Sequence, residues 1–239
     1  MTAVLPIKGI VAMTIDGRLL RGVPLFREFE DAELAEIAKI VHTETIGKHQ
    51  LVVREGDPGD TFHILLRGSV SVVHGAGDGK ETILAILKEG DFFGEMTILD
   101  SSLRSASIRS LTDLEVGIIR RDDFLALLGR NPTIGRSLVI ELSERLRAAN
   151  ALLATLASQD IRARMATLLL KLSENFGEKT DTGVRISLRL TNQELANMIG
   201  TTRETVNRTL NRLWDEHVID MRTAHIVILN VEGLTALVP

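Results

Sequence analysis

Residues 92–107 read FFGEMTILDSSLRSAS. Gly94 is followed at once by Glu95, and Arg104 comes nine residues later, directly before Ser105 and Ala106. Apolar residues surround the two charges. A glycine lets backbone approach a ligand because no Cβ stands in the way. An arginine offers a planar fork of donors that suits two oxygens of a phosphate. The serine adds a hydroxyl, and its backbone N–H can help form an anion-binding concavity. The carboxylate can accept a hydrogen bond from a sugar hydroxyl. A surface ion pair in a tight loop is the plainer alternative. The apolar flanks argue instead for a ligand site that takes a phosphate beside a sugar.

Around this stretch, from about residue 43 to 120, short β-rich runs alternate with turn signals. The runs are 50–54, 62–66, 69–74, 82–87, 104–110 and 114–119. The turns are Asp57-Pro58-Gly59-Asp60, Arg67-Gly68, Asp78-Gly79 and Glu89-Gly90-Asp91. Asp-Gly is a strong hairpin signal. Strands at this spacing predict an antiparallel barrel or sandwich. Gly56, Gly59, Gly68 and Gly90 read as turn glycines that shape a pocket without touching its occupant. Upstream, Phe26, Phe29, Leu34, Ile37, Ile40 and Val41 recur at helical spacing, and Asp31 marks a helix start. Residues 1–22 read equally as a flexible arm or as an extra strand.

Within this frame, residues 92–107 resemble the phosphate-binding cassette of cyclic-nucleotide-binding domains, FGE(x)nR-[ST/A]-A. REGDPGDTFHILLRGSVSVV (54–73) and LKEGDFFGE (87–95) are similar to the β-roll of those domains. The resemblance implies that Arg104 holds a cyclic phosphate with help from Ser105. It also implies that Gly94 gives close approach and that Glu95 takes the ribose 2′-hydroxyl.

Residues 133–157 contain no proline and no glycine after Gly135, which predicts one long helix of roughly 37 Å at 1.5 Å per residue. Leu138, Leu142, Arg145, Ala149, Leu152 and Leu156 follow a 3-4 spacing, a heptad seam of about three repeats. Val139, Ile140, Leu146 and Leu153 broaden the stripe enough to face both a partner helix and the β-roll. In the resembling family this helix forms the homodimer interface, through Leu138, Leu142, Ala149, Leu152 and Leu156 here. It also brings Arg145, Ala149 and Asn150 to the bound nucleotide, with Arg145 orienting Glu95 or the phosphate. Ala149 departs from the pattern, because cyclic-AMP-responsive members often carry threonine there.

A second domain begins with a helix over 161–175, followed by a polar, turn-rich loop over 177–183. Residues 190–219 read LTNQELANMIGTTRETVNRTLNRLWDEHVI. Thr191-x-x-Glu194 and Thr201-x-x-Glu204 fit the capping-box pattern ten residues apart, which predicts two short helices. Leu195 and Ile199 give the first an inward face; Val206, Leu210 and Leu213 give the second its own. Gly200 sits between them, and the whole matches a helix-turn-helix. The second helix leaves Arg203, Glu204, Asn207, Arg208, Asn211 and Arg212 facing outward. Arginine can take guanine O6 and N7 together, and glutamate can accept from cytosine N4. A solvated face on a structural helix pair is the plainer alternative. Arg203-Glu204-Thr205-Val206-x-Arg208 resembles the recognition-helix signature of the cyclic AMP receptor protein branch of the CRP/FNR family. That implies that Arg203, Glu204 and Arg208 read a TGTGA-type half-site. Thr202, Thr205 and Arg212 would touch the DNA backbone, and 221–229 would be a wing hairpin.

Composition sets the outer bounds. The 239 residues suffice for two domains. The net charge is −4, and residues 160–239 balance 10 Lys/Arg against 10 Asp/Glu, so any nucleic-acid surface is local. Absence of cysteine removes disulfides, thiol nucleophiles and cysteine-ligated metal. The six histidines show no paired ligand spacing, so neither metal nor haem is expected, and each histidine reads as satisfied or solvent-facing. No run is long enough to span a membrane, and no catalytic constellation appears. The expected architecture is α+β. It comprises an N-terminal arm (1–22), an antiparallel β-roll (23–132), a dimerisation helix and hinge (133–159) and a winged helix-turn-helix (160–239). The expected protein is a cytoplasmic, homodimeric regulator that binds double-stranded DNA under control of a cyclic nucleotide, cyclic AMP ahead of cyclic GMP. RNA polymerase is a further partner. The rivals are a regulator that is constitutive or senses another metabolite, and a regulatory module of an enzyme or channel.

Overall fold

The computed structural model describes residues 15–75, 81–158 and 160–238. They fall in two compact units, 1–146 and 147–239. Asp78-Gly79 and residues 1–14 lie outside the described residues.

In the first unit a 3-10 helix over Gly17–Gly22 leads to α1 (Asp31–Ala38), with Leu20 and Leu34 fully buried. Two four-stranded antiparallel sheets follow. One orders β1 (His42–Ile46), β8 (Leu114–Arg120), β3 (Thr61–Arg67) and β6 (Phe92–Phe93). The other orders β2 (Leu51–Val53), β7 (Ser107–Ser110), β4 (Val70–His74) and β5 (Thr82–Leu87). Strand alternation sorts the apolar side chains into two layers. Phe62, Ile64, Phe92 and Ile119 pack under the helices with Phe26, Leu34, Phe124, Ile134 and Leu138. Leu65, Phe93, Ile108 and Val116 pack together as a separate cluster. Phe62 joins the helical layer by stacking on Phe124 at 4.2 Å.

Five elements of this unit were not expected: the 3-10 helix at Gly17–Gly22, where an arm or a strand was read, and β1, β6, α2 (Glu95–Asp100) and α3 (Arg121–Arg130). The strand expected from residue 104 begins at Ser107 instead. The reason is that Arg104 spends its backbone on a loop. Its N–H donates to Asp57 O, and its carbonyl accepts from Gly56 N–H. The long helix, α4 (Pro132–Ser158), matches its expected span within a residue.

In the second unit α5 (Ile161–Phe176) starts at the N-cap Asp160, whose carboxylate accepts from Ala163 N–H. The expected loop at 177–183 is a hairpin, β9 (Gly177–Thr180) with β10 (Gly183–Ile186). β9 is polar and wholly exposed, so no apolar alternation announced it, although β10 does alternate through Val184 and the buried Ile186. Next come α6 (Asn192–Ile199) and α7 (Arg203–Asp215), then the pair β11 (Ile219–Asp220) and β12 (Val227–Ile228), and finally α8 (Val231–Thr235). The sheet order is β11-β12-β10-β9.

Candidate functional site

Gly94 is the N-cap of α2 and has φ 90°, a conformation that glycine adopts without strain. Arg104 lies beneath it, only 6% exposed. Its Nη1 donates to Gly94 O at 3.2 Å, and its Nη2 to Thr61 O at 2.9 Å and Thr61 Oγ1 at 3.0 Å. Space for the guanidinium comes from two glycines. A Cβ on Gly94 would stand 2.5 Å from Nη1, and one on Gly59 would stand 2.1 Å from Nε. Burial lowers the arginine's pKa, against the opposing pull of Asp60 and Glu95.

Glu95, the first residue of α2, is 4% exposed. Burial raises its pKa, and the neighbouring Arg145 charge opposes that rise. Arg145 reaches from α4 to place Nη1 3.3 Å from Glu95 Oε1, and its Nη2 donates to Phe92 O at 2.7 Å. Its guanidinium also lies 4.4 Å from the Phe92 ring centroid. Gly94, Glu95, Arg104 and Arg145 are thus brought together. Ser105 stands exposed, donating from Oγ to Met96 Sδ at 3.6 Å. Ala149 and Asn150 are exposed on α4 within the second unit.

One expectation about histidines fails. His63, on β3, is 7% exposed, and its Nδ1 has no hydrogen-bond partner among the described residues. The β3–β6 register sets it opposite Phe93, on which it stacks at 4.6 Å and 5°. Burial, then the charge of Arg104, pushes its pKa down to about 3.

In the second unit, Thr191 and Glu194 form the expected capping box on α6, and Gly200 closes that helix with φ 66°. The second box is not at Thr201. The N-cap of α7 is Thr202, whose Oγ1 accepts from Thr205 N–H at 3.3 Å. The hydroxyls of Thr202 and Thr205 are also linked, at 3.1 Å. Val206, Leu210 and Leu213 are buried, which turns Arg203, Glu204, Asn207, Arg208, Asn211 and Arg212 outward. Arg203 and Arg208 have no side-chain hydrogen bond or ion pair among the described residues, whereas Arg212 pairs with Glu216. Hydrogen bonds to the helix N-terminus and to Thr202 hold the Glu204 carboxyl below its usual range. Asn207 accepts from Asn192 at 3.3 Å.

Family comparisons match these two sites separately. Residues 43–131 match the cyclic nucleotide-binding domain, and residues 163–237 match the Crp-like helix-turn-helix domain. The "CRP-like cAMP-activated global transcriptional regulator" of Mycobacterium tuberculosis is 32% identical over 192 residues, 80% of this chain and 86% of that protein. This chain belongs to the CRP/FNR family.

It is a transcriptional regulator with a cyclic-nucleotide-binding domain and a helix-turn-helix, like its relatives, and not an enzyme. Among solved structures, the c-di-GMP-responsive global regulator CLP of Xanthomonas campestris superposes with a TM-score of 0.74 at 27% identity, covering 83% of this chain and 99% of that one. A CRP/FNR-family transcriptional regulator from Thermus thermophilus superposes with a TM-score of 0.69 at 27% identity, over 82% and 97% of the two chains. For this CRP/FNR regulator, sequence reasoning missed the supports of Arg104. Gly59 and Thr61 sit some forty residues from it in the chain, and no spacing pattern ties them to it.

Proposed function

We propose that this regulator is a homodimer whose affinity for DNA is set by a cyclic nucleotide, cyclic AMP ahead of cyclic GMP, and that it reads inverted repeats of TGTGA type. What carries the reading is Arg104 and Glu95, a buried cation and a buried carboxylate on one glycine-opened turn, with Glu95 joined to α4 through Arg145. Arg104 anchors the cyclic phosphate, Ser105 assists at the rim, and Glu95 takes the ribose 2′-hydroxyl. An effector that draws on Glu95 alters the pull on Arg145 and therefore on α4. It shifts the dimer only by its difference in affinity for the two arrangements, and DNA must tighten effector binding by the same factor. Arg203, Glu204 and Arg208 read bases, and Arg212 meets phosphate once it leaves Glu216. RNA polymerase in the cytoplasm is the partner that makes the binding productive.

Ala149 supports a second reading. It offers no hydroxyl where cyclic-AMP-responsive members often carry threonine, and a fold relative is described as c-di-GMP responsive. Calorimetric titration of cyclic AMP, cyclic GMP and c-di-GMP into wild type and Arg104→Ala decides. Cyclic AMP should bind wild type, and Arg104→Ala should lose roughly 1.5–3 kcal/mol of that affinity, the worth of a hydrogen bond to a charged group. Equal affinities, or no binding by wild type, reject the pocket. A preference for c-di-GMP moves the effector to the second reading.

A further inference from the structure

His63 Nδ1 is a buried polar atom without a partner among the described residues, and it lies beside the buried guanidinium of Arg104. An orphaned acceptor is costly and uncommon in native interiors. Strand alternation turns Phe62 and Ile64 into the helical layer and leaves His63 on the opposite face of β3. Stacking on Phe93, the residue before Gly94, fixes the plane of the ring. Nδ1 and Arg104 Nη1 converge on one point. They lie 3.4 Å and 2.5 Å from the place a Cβ on Gly94 would occupy.

Arg104 is held here by three acceptor contacts, to Thr61 O, Thr61 Oγ1 and Gly94 O. The second N–H of Nη1 has no acceptor among the described residues. The Nε–H has none there either, and turning the guanidinium to aim these donors together at one phosphate loosens its contacts to Thr61 or Gly94. We propose that His63 is a positioning residue for the effector's phosphate: its Nδ1 lone pair accepts an N–H of Arg104 when the guanidinium turns toward the anion. This rests on the reading of Arg104 as the phosphate anchor. The imidazole suits the role because burial and Arg104 itself keep it neutral, so the lone pair remains available.

Two substitutions separate the nitrogen from the ring. His63→Phe keeps the stack on Phe93 and removes the acceptor. His63→Asn gives up the ring and keeps an amide oxygen near the position of Nδ1. Cyclic AMP is titrated into wild type, both variants and Arg104→Ala, and each protein is melted without ligand. His63→Phe should melt no lower than wild type, since it removes an unsatisfied buried atom, yet bind cyclic AMP about tenfold more weakly, one lost hydrogen bond to a charged group. His63→Asn should recover most of that loss. In histidine-15N-labelled wild type, the His63 Nδ1 resonance should move upfield when cyclic AMP is added. Wild-type affinity in His63→Phe, equal losses in both variants, or an unmoved Nδ1 resonance overturns the proposal while leaving the anchor intact. Failure of Arg104→Ala to weaken binding, or no binding by wild type, removes the anchor and this inference with it.

Discussion

A methyl group at position 59 would sit 2.1 Å from Arg104 Nε. The obstacle is the far end of a flexible side chain, so Gly59→Ala should fold and displace the guanidinium from its seat. Circular dichroism should match wild type, while calorimetry should show cyclic AMP affinity falling toward that of Arg104→Ala; undiminished affinity would contradict the seat. The residue was legible in sequence only as a turn glycine. Its neighbours Gly56, Gly68 and Gly90 do have positive φ, at 79°, 93° and 88°, but Gly59 serves by close approach. His63 was misread because spacing cannot report burial. Its folded pKa of about 3 lies below the ordinary 6.5, so between those values the unfolded chain binds a proton that the folded chain refuses. The stability this group contributes is full above pH 6.5 and is lost as pH falls toward about 3, by up to ~1.4 kcal/mol per pH unit. Denaturant unfolding at about pH 6, 5 and 4 should therefore decline less steeply for His63→Phe than for wild type. Parallel declines would place the histidine in a wetter site.

At the scale of elements, strong periodic signals were readable and polar or very short ones were not. α4, α6 and α7 stand where apolar spacing and caps put them, with the start of α7 governed by Thr202 rather than Thr201. The two-residue β6 and the six-residue α2 are too short to show a period, and exposed β9 carries no alternation. The seam of α4 divides. Leu138 is buried in the helical layer of the first unit, and Leu142 packs against that layer. Val139, Leu146 and Leu153, seven residues apart, are 63%, 62% and 65% exposed. An apolar row at heptad spacing is a stripe for a second helix. Leu146→Glu should leave the fold unchanged by circular dichroism and put an unpaired charge into the proposed dimer interface. Sedimentation should show wild type as a dimer at micromolar concentration and the variant shifted toward monomer. A monomeric wild type would assign the row another role.

For the molecule as a whole, the two motifs were legible because each concentrates its chemistry in one short segment: a glycine, an acid and an arginine in the first, a capped basic helix in the second. The proposed control of one by the other was not legible, because it is a coupling free energy and no residue pattern encodes its size. Everything proposed for the regulator depends on that coupling. It is measured most directly by fluorescence anisotropy of a labelled duplex carrying an inverted TGTGA repeat, its half-site centres one helical turn, about 34 Å, apart. The regulator is titrated with and without saturating cyclic AMP at one fixed salt concentration, because phosphate contacts make affinity salt-dependent. Binding should be tighter with cyclic AMP by roughly 5–150-fold, the usual range of allosteric coupling. Arg104→Ala should show no such gain. Equal affinity with and without cyclic AMP in the wild-type protein would contradict the coupling.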